Sequence, residues 1–186
     1  VLVVDGFTRN DAGLTPTRHV TNRTGSISYA NVSLVRPQMI NSFDYVKEHG
    51  LALAAAGQTF DSVGAALVSS ALLTNYGKVV WILGEESTVD ETFGSAEQAA
   101  VTNYLGQGGR LFVSGSEIGW DLGRSGVSSA ADVNFFTNAL RAAYAFDSGS
   151  NSLAMGTTTG FLSGVSIAFN YTNLLPQVYA ANYPDV

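Results

Sequence analysis

The chain has 186 residues, of which 46% are hydrophobic and only 13% are charged, and its formal net charge is -6. The nine Lys and Arg residues are scattered along the sequence. Binding to nucleic acid needs clustered basic residues, so nucleic acid is disfavoured as a partner. The absence of cysteine excludes disulfides, thiolate metal sites and a cysteine nucleophile.

The sequence contains no apolar stretch of about 18 residues that would span a membrane, and no signal peptide. Because its charged fraction lies well below the roughly 25% typical of soluble domains, uncharged polar residues must cover the surface. This composition favours an extracellular or periplasmic protein. Since the chain opens on an apolar run without an initiator Met, we expect a mature or excised module of a larger secreted protein.

The N-terminal part predicts one strand and a long irregular connection. Val1 to Val4 form a continuous apolar run, as expected for a strand covered on both faces. Residues 8–41 lack a helical period, and a connection of this length is typical of a lid or binding loop. The alternative is a surface excursion with its own small hairpin, because Tyr29 to Val35 partly alternates and fits a short strand.

Strands and helices then alternate along the chain. The predicted strands cover residues 1–4, 60–63, 78–83 and 110–114. The predicted helices cover residues 42–56, 64–73 and 95–107, with a last helix that begins at Ser128 or Ser129. Ser42 is a suitable N-cap and Gly57 a suitable end for the first helix, and Ser95 with Gln98 fits a capping box for the third.

Four alternations of strand and helix predict an α/β fold with a mainly parallel sheet. Right-handed crossovers make it doubly wound, with helices on both faces and a flavodoxin-like order. Residues 148–186 predict an irregular tail with edge strands, and apolar pieces of this C-terminal region lie at 143–146, 165–169 and 177–180. We find no repeat and no domain boundary, so residues 1–186 are interpreted as a single domain.

The strand at 110–114 runs into Gly115-Ser116-Glu117-Ile118-Gly119, a pattern typical of a nucleophile elbow. The two glycines allow a tight turn that lifts the middle residue to the top of the sheet. That residue is Glu117 rather than Ser or Cys, and we expect it to lie on a strained turn. Serine hydrolysis by Ser116 is disfavoured, because His19 and His49 both precede the elbow.

Acidic residues follow each strong strand. Asp5 ends the first, Glu85 and Glu86 follow the strand at 78–83, and Glu117 and Asp121 follow the last. The carboxyl ends of parallel strands meet at one edge of a sheet, where ligands of such folds bind. The sequence therefore predicts an acidic site at this edge, which we call the carboxyl edge.

Three chemical uses of the carboxyl edge are open. Glu117 could act with Glu85 or Asp121 as a catalytic carboxylate pair, as in glycan cleavage. The oxygens could hold calcium or magnesium, although no particular metal ligand is predicted. The edge could also bind sugar hydroxyls, with ligand contacts from Asp5, Arg9, Glu86, Ser116, Trp120 and Arg124. In a purely structural role, the acids would cap helices or pair with the two arginines.

Four segments resemble a known family, the class I glutamine-amidotransferase-like domain of secreted bacterial proteins. They are residues 1–7, 44–49, 81–87 and 109–121, within a likeness that covers roughly residues 1–147. Such proteins carry names such as xanthan lyase, golvesin-like or N-acetylmuramoyl-L-alanine amidase. The resemblance implies a flavodoxin-like fold and a secreted bacterial setting.

Amidotransferases of this class use a Cys at the elbow with a His and a Glu after it. Glu117 stands at the elbow here and no His follows it, which excludes the thiol mechanism. We therefore expect a non-thiol module that binds or helps to process a glycan or cell-wall polymer at the carboxyl edge, next to other domains of its parent protein. A carboxylate-dependent hydrolase of glycosidic or amide bonds is one alternative, and a structural spacer is another.

Overall fold

A parallel four-stranded sheet forms the centre of the computed structural model, which describes residues 1–9, 17–21, 29–33, 45–147 and 153–168. The strands are β1 (Leu2–Asp5), β2 (Thr17–Thr21), β3 (Tyr29–Ser33), β4 (Asp61–Gly64), β5 (Lys78–Gly84), β6 (Arg110–Gly115), β7 (Leu153–Met155) and β8 (Ser166–Ala168). The α-helices are α1 (Tyr45–Ala55), α2 (Ser70–Leu73), α3 (Ser95–Gly106), α4 (Ile118–Leu122) and α5 (Ala130–Asn134).

The strand order of the central sheet is β4-β1-β5-β6, and each neighbouring pair is parallel. From β1 the chain moves outward to β4, and it then returns past β1 to β5 and β6. With right-handed crossovers, this reversal places α1 on one face and α2 and α3 on the other. The predicted doubly wound, flavodoxin-like α/β fold is confirmed.

The main core lies between the sheet and the face that carries α3. The sheet contributes Leu2, Val4, Val79, Trp81 and Leu83, and the helical layer contributes Leu73, Ala100, Val101 and Tyr104. Successive strand residues point to opposite faces, and Val3 and Ile82, which lie outside this cluster, are also buried. Burial on both faces explains why these strands are continuous apolar runs in the sequence.

Helix α1 ends as the sequence predicts. Gly57 adopts a positive φ of 69°, its N–H donates to the Ala54 carbonyl at 2.9 Å, and Gln58 donates to the Leu53 carbonyl at 2.9 Å. This pair of bonds is a Schellman motif, for which glycine is favoured because it lacks a Cβ. The predicted N-cap Ser42 lies outside the described residues.

The two predicted helix starts have different outcomes. Ser129 caps α5, and its hydroxyl and the Asp132 carboxylate exchange bonds of 3.1 Å with each other's N–H groups. The predicted capping box at Ser95 was wrong by one residue, because Gly94 is the N-cap of α3. Glu97 accepts from the Gly94 N–H at 2.9 Å and so provides the carboxylate half of the box.

Two predicted elements differ from the structure. The single helix over 64–73 was wrong, because a 3-10 turn (Ala65–Leu67) is followed by a new start at α2, where Ser69 accepts from Leu72 N–H at 3.2 Å. Residues 143–146 form no strand.

Within the long connection β2 and β3 pair antiparallel, so the predicted short strand at 29–35 is present as part of a hairpin. A second antiparallel pair joins β7 to β8, the latter within the predicted 165–169 piece. The piece at 177–180 lies outside the described residues.

Candidate functional site

The loops after β1, β5 and β6 lie side by side at the carboxyl edge. Gly6 N–H donates to the Ile82 carbonyl at 2.8 Å, which ties the end of β1 to β5. Ser116 N–H donates to the Gly84 carbonyl at 2.8 Å, and its hydroxyl donates to the same oxygen at 3.3 Å. Ser116, a predicted ligand contact, thus ties the end of β6 to β5.

Glu86 is the most deeply buried carboxylate of this edge, with 1% of its surface exposed. Its Oε1 accepts from the Thr8 N–H, from the Thr8 hydroxyl at 2.9 Å and from the Arg9 N–H at 2.7 Å. Its Oε2 is buried and has no hydrogen-bond partner in the described part of the chain. We predicted Glu86 as a ligand contact. Its carboxylate is buried, and its hydrogen bonds from Thr8 and Arg9 hold the loop after β1.

Arg9 adds a second link between the same loops. Its Nη1 donates to the Glu85 carbonyl at 3.0 Å, and its Nε lies 3.8 Å from the Asp90 carboxylate. Both charged side chains are partly exposed, so this ion pair contributes little to stability and mainly fixes the direction of the arginine. The Glu85 side chain is also partly exposed.

Asp121 joins α4 to the loop between β5 and α3. Its Oδ2 accepts from the Thr92 N–H at 2.8 Å and from the Thr92 hydroxyl at 2.7 Å. Thr92 is 1% exposed, so this carboxylate satisfies two buried donors. Asp121 was predicted as a catalytic partner of Glu117. In the structure its carboxylate holds the loop between β5 and α3 through Thr92.

Glu117 is the N-cap residue of α4, at φ -116° and ψ 14°. The expected strained turn at Glu117 is therefore absent, because this conformation has a negative φ that any residue adopts. Positive φ values occur instead at the end of β5, at Gly84 with 53°, and in the loop after it, at Glu91 with 59°. The Glu117 carboxylate is partly exposed and accepts from the Ser87 hydroxyl at 3.5 Å.

Trp120 and Arg124 form a stacked pair on α4 and the turn after it. The Arg124 Cζ lies 3.8 Å from the centroid of the Trp120 ring, and its Nε donates to the Trp120 carbonyl. We predicted Trp120 and Arg124 as ligand contacts for a sugar. The guanidinium covers one ring face, so that face is not the one a sugar would contact.

Asp5 is a half-buried carboxyl at the end of β1. Burial raises its pKa, although a hydrogen bond from the Phe7 N–H at 3.3 Å acts in the opposite direction. A raised pKa keeps a carboxyl protonated to higher pH, which is what a general acid needs.

The sequence analysis missed three hydroxyl residues at this edge. Thr8, Ser87 and Thr92 donate to the carboxylates of Glu86, Glu117 and Asp121 respectively. Each pair joins two different loops. The only sequence signal was that Thr8 and Ser87 come shortly after strand ends, and hydroxyl residues are common in loops.

Calcium or magnesium at this edge remains an expectation from the sequence. Among residues 1–9, 17–21, 29–33, 45–147 and 153–168, no group of three or more His, Cys, Asp or Glu side chains is arranged to hold a metal ion. No helix in those ranges is long and apolar enough to cross a membrane.

Comparisons of the chain with protein-family models, curated proteins and solved structures give no match.

Proposed function

We propose that the chain is a non-thiol, amidotransferase-like module of a secreted bacterial protein that binds a glycan or cell-wall polymer at the carboxyl edge. The observation that carries this proposal is that the acids of the carboxyl edge fall into two groups. Glu86 and Asp121 fix the loops to one another, whereas Asp5 and Glu117 are partly exposed on the edge that those loops form.

A rigid edge with exposed acceptors suits a polymer rich in hydroxyl and amide groups. Carboxylate oxygens accept hydrogen bonds from such groups, and bonds to a charged acceptor are stronger than neutral ones. Because hydrogen bonds to Glu86 and Asp121 already hold the loops in place, little conformational entropy is lost on binding.

The alternative function is a carboxylate-dependent hydrolase. The raised pKa of Asp5 suits a general acid, and Glu117 is the partly exposed carboxylate of the neighbouring loop. In the original form of this alternative, Glu117 acts with Glu85 or Asp121. Because Asp121 already accepts two hydrogen bonds from Thr92, Glu85 is the better of these two partners.

Co-sedimentation with insoluble peptidoglycan, chitin and cellulose tests the proposal. We expect binding to at least one polymer, and we expect Glu117→Gln to weaken it about fivefold through loss of a charge-assisted hydrogen bond. Asp61→Asn is the matched control, because Asp61 is an exposed acid at the start of β4, on the opposite edge. Equal binding by wild type, Glu117→Gln and Asp61→Asn would contradict the proposal.

The same samples separate the alternatives. Release of soluble fragments by wild type, and its loss in Glu117→Gln, would establish the hydrolase. Binding without fragment release is the result we predict. Failure to bind any polymer would leave the structural spacer as the better explanation.

A further inference from the structure

Two contacts orient the Arg124 side chain, and a third holds its backbone. Its guanidinium lies on the Trp120 ring, its Nε donates to the Trp120 carbonyl, and its backbone N–H donates to the Ser128 hydroxyl at 3.2 Å. Within the described part of the chain, no carboxylate forms an ion pair with Arg124. The side chain is partly buried, so a charge has been fixed in place without an acidic partner.

These contacts use one ring face and the Nε, and they leave the two terminal nitrogens of the guanidinium as donors. A planar fork of this kind matches the two oxygens of a carboxylate, which it binds through two parallel hydrogen bonds. Stacking on an aromatic ring fixes the plane of the fork, so less side-chain entropy is lost on binding.

A groove of about 550 Å³, with more apolar than polar lining surface, runs along the turn that follows Arg124 and along α5. Its polar lining consists of Ser125, Ser128, Asn134, Thr137 and Asn138. Hydroxyl and amide groups are the side chains that pair with sugar hydroxyls. Ser125, the residue after Arg124, lines one end of this groove, which is where we expect the rest of the sugar chain to lie.

We propose that Arg124, stacked on Trp120, is a binding site for a carboxylate carried by a sugar unit of the polymer. This inference rests on the proposed function and names the ligand class more narrowly. The net charge of -6 opposes a polymer with a negative charge on every unit. The ligand is therefore a mainly neutral glycan with isolated carboxylates.

Two disaccharides that differ at one group test the site. The first joins glucuronic acid to glucose, and the second joins two glucose units through the same linkage, so that only the carboxylate differs. Titration is followed by the fluorescence of Trp120, because Trp81, the other tryptophan, is fully buried. We expect the acidic disaccharide to bind about tenfold more tightly than the neutral one.

Arg124→Gln should abolish this preference, and Arg124→Lys should retain only a small part of it, since an ammonium lacks the planar fork. Arg110→Gln is the control, because Arg110 is an exposed arginine at the start of β6, away from the carboxyl edge. Its preference should equal that of wild type.

Equal affinity of wild type for both disaccharides would overturn the inference and leave the proposed glycan binding intact. The same preference in Arg124→Gln as in wild type would also overturn it, because the carboxylate would then be bound elsewhere. Absence of binding to both disaccharides, together with co-sedimentation of wild type with a neutral polymer, would show that the polymer is bound without its acidic units.

Discussion

Gly84→Ala is expected to lower the free energy of unfolding by about 3 kcal/mol. Gly84 has a positive φ of 53°, which costs a residue with a Cβ about 1–2 kcal/mol. A Cβ at this position would also lie 2.4 Å from Cδ1 of Phe7, and Phe7 is buried. Relief of that overlap adds a packing cost of about 1–3 kcal/mol. Chemical denaturation followed by circular dichroism measures the change.

Gly57→Ala separates the two causes. Gly57 also has a positive φ, at 69°, but nothing lies within 4 Å of the position that its Cβ would take. This variant should therefore lose only the backbone part, about 1 kcal/mol. Equal losses in Gly57→Ala and Gly84→Ala would contradict the close approach of Phe7 to the end of β5, and with it the described edge.

Glu86→Ala is expected to destabilise the fold by about 3 kcal/mol. The substitution removes the acceptor of the Thr8 N–H, the Thr8 hydroxyl and the Arg9 N–H. A hydrogen bond to a charged group contributes about 1.5–3 kcal/mol, and because Thr8 is exposed, water replaces part of what is lost. The loop after β1 should also exchange its amide hydrogens faster.

Glu86→Gln distinguishes the hydrogen bonds of this residue from its charge. The amide oxygen of Gln still accepts, and the buried Oε2, which has no partner in the described part of the chain, is replaced by an amide nitrogen. We expect a loss of under about 1 kcal/mol, because a buried charge is also removed. The control is Glu48→Ala, an exposed position on α1. A loss in Glu86→Gln as large as that in Glu86→Ala would show that the charge itself is required.

The central strands β1 and β5 were predictable because burial on both faces gives continuous apolar runs, whereas β6 is an edge strand whose Phe112 is exposed. The runs at 1–4, 78–83 and 110–114 are apolar over most of their length, and glycines or polar residues end them. Alternation with helices then determines a parallel, doubly wound order through the handedness of the crossovers. The convergence of Asp5, Glu86 and Glu117 on one edge follows from that order alone.

The roles of the acids were not predictable, because they depend on the paths of loops. Glu85 and Glu86 are adjacent and chemically alike, yet only Glu86 is buried, under Thr8. The left-handed turn at Gly84 precedes both and sets which one faces inward. The sequence analysis also placed the strained residue at Glu117, which was wrong, because an elbow pattern does not show which residue adopts a positive φ.

The pairing of Arg124 with Trp120 was missed for a related reason. Residues four apart on a helix lie on one face, so the spacing was visible. The sequence analysis instead assigned Arg124 to a possible ion pair with an acid and Trp120 to a sugar. The cation–π contact competes with both of those partners, and only the coordinates show that it forms.

Mapping of the bound ligand by nuclear magnetic resonance tests the central claim most directly, that the carboxyl edge is a binding surface. A soluble fragment of the polymer that co-sediments best is titrated into the labelled protein, and amide shifts are followed. We predict that the largest changes fall on Asp5, Ser87, Glu117 and Trp120. Changes confined to the exposed β7–β8 pair, or to the opposite edge near Asp61, would contradict the account.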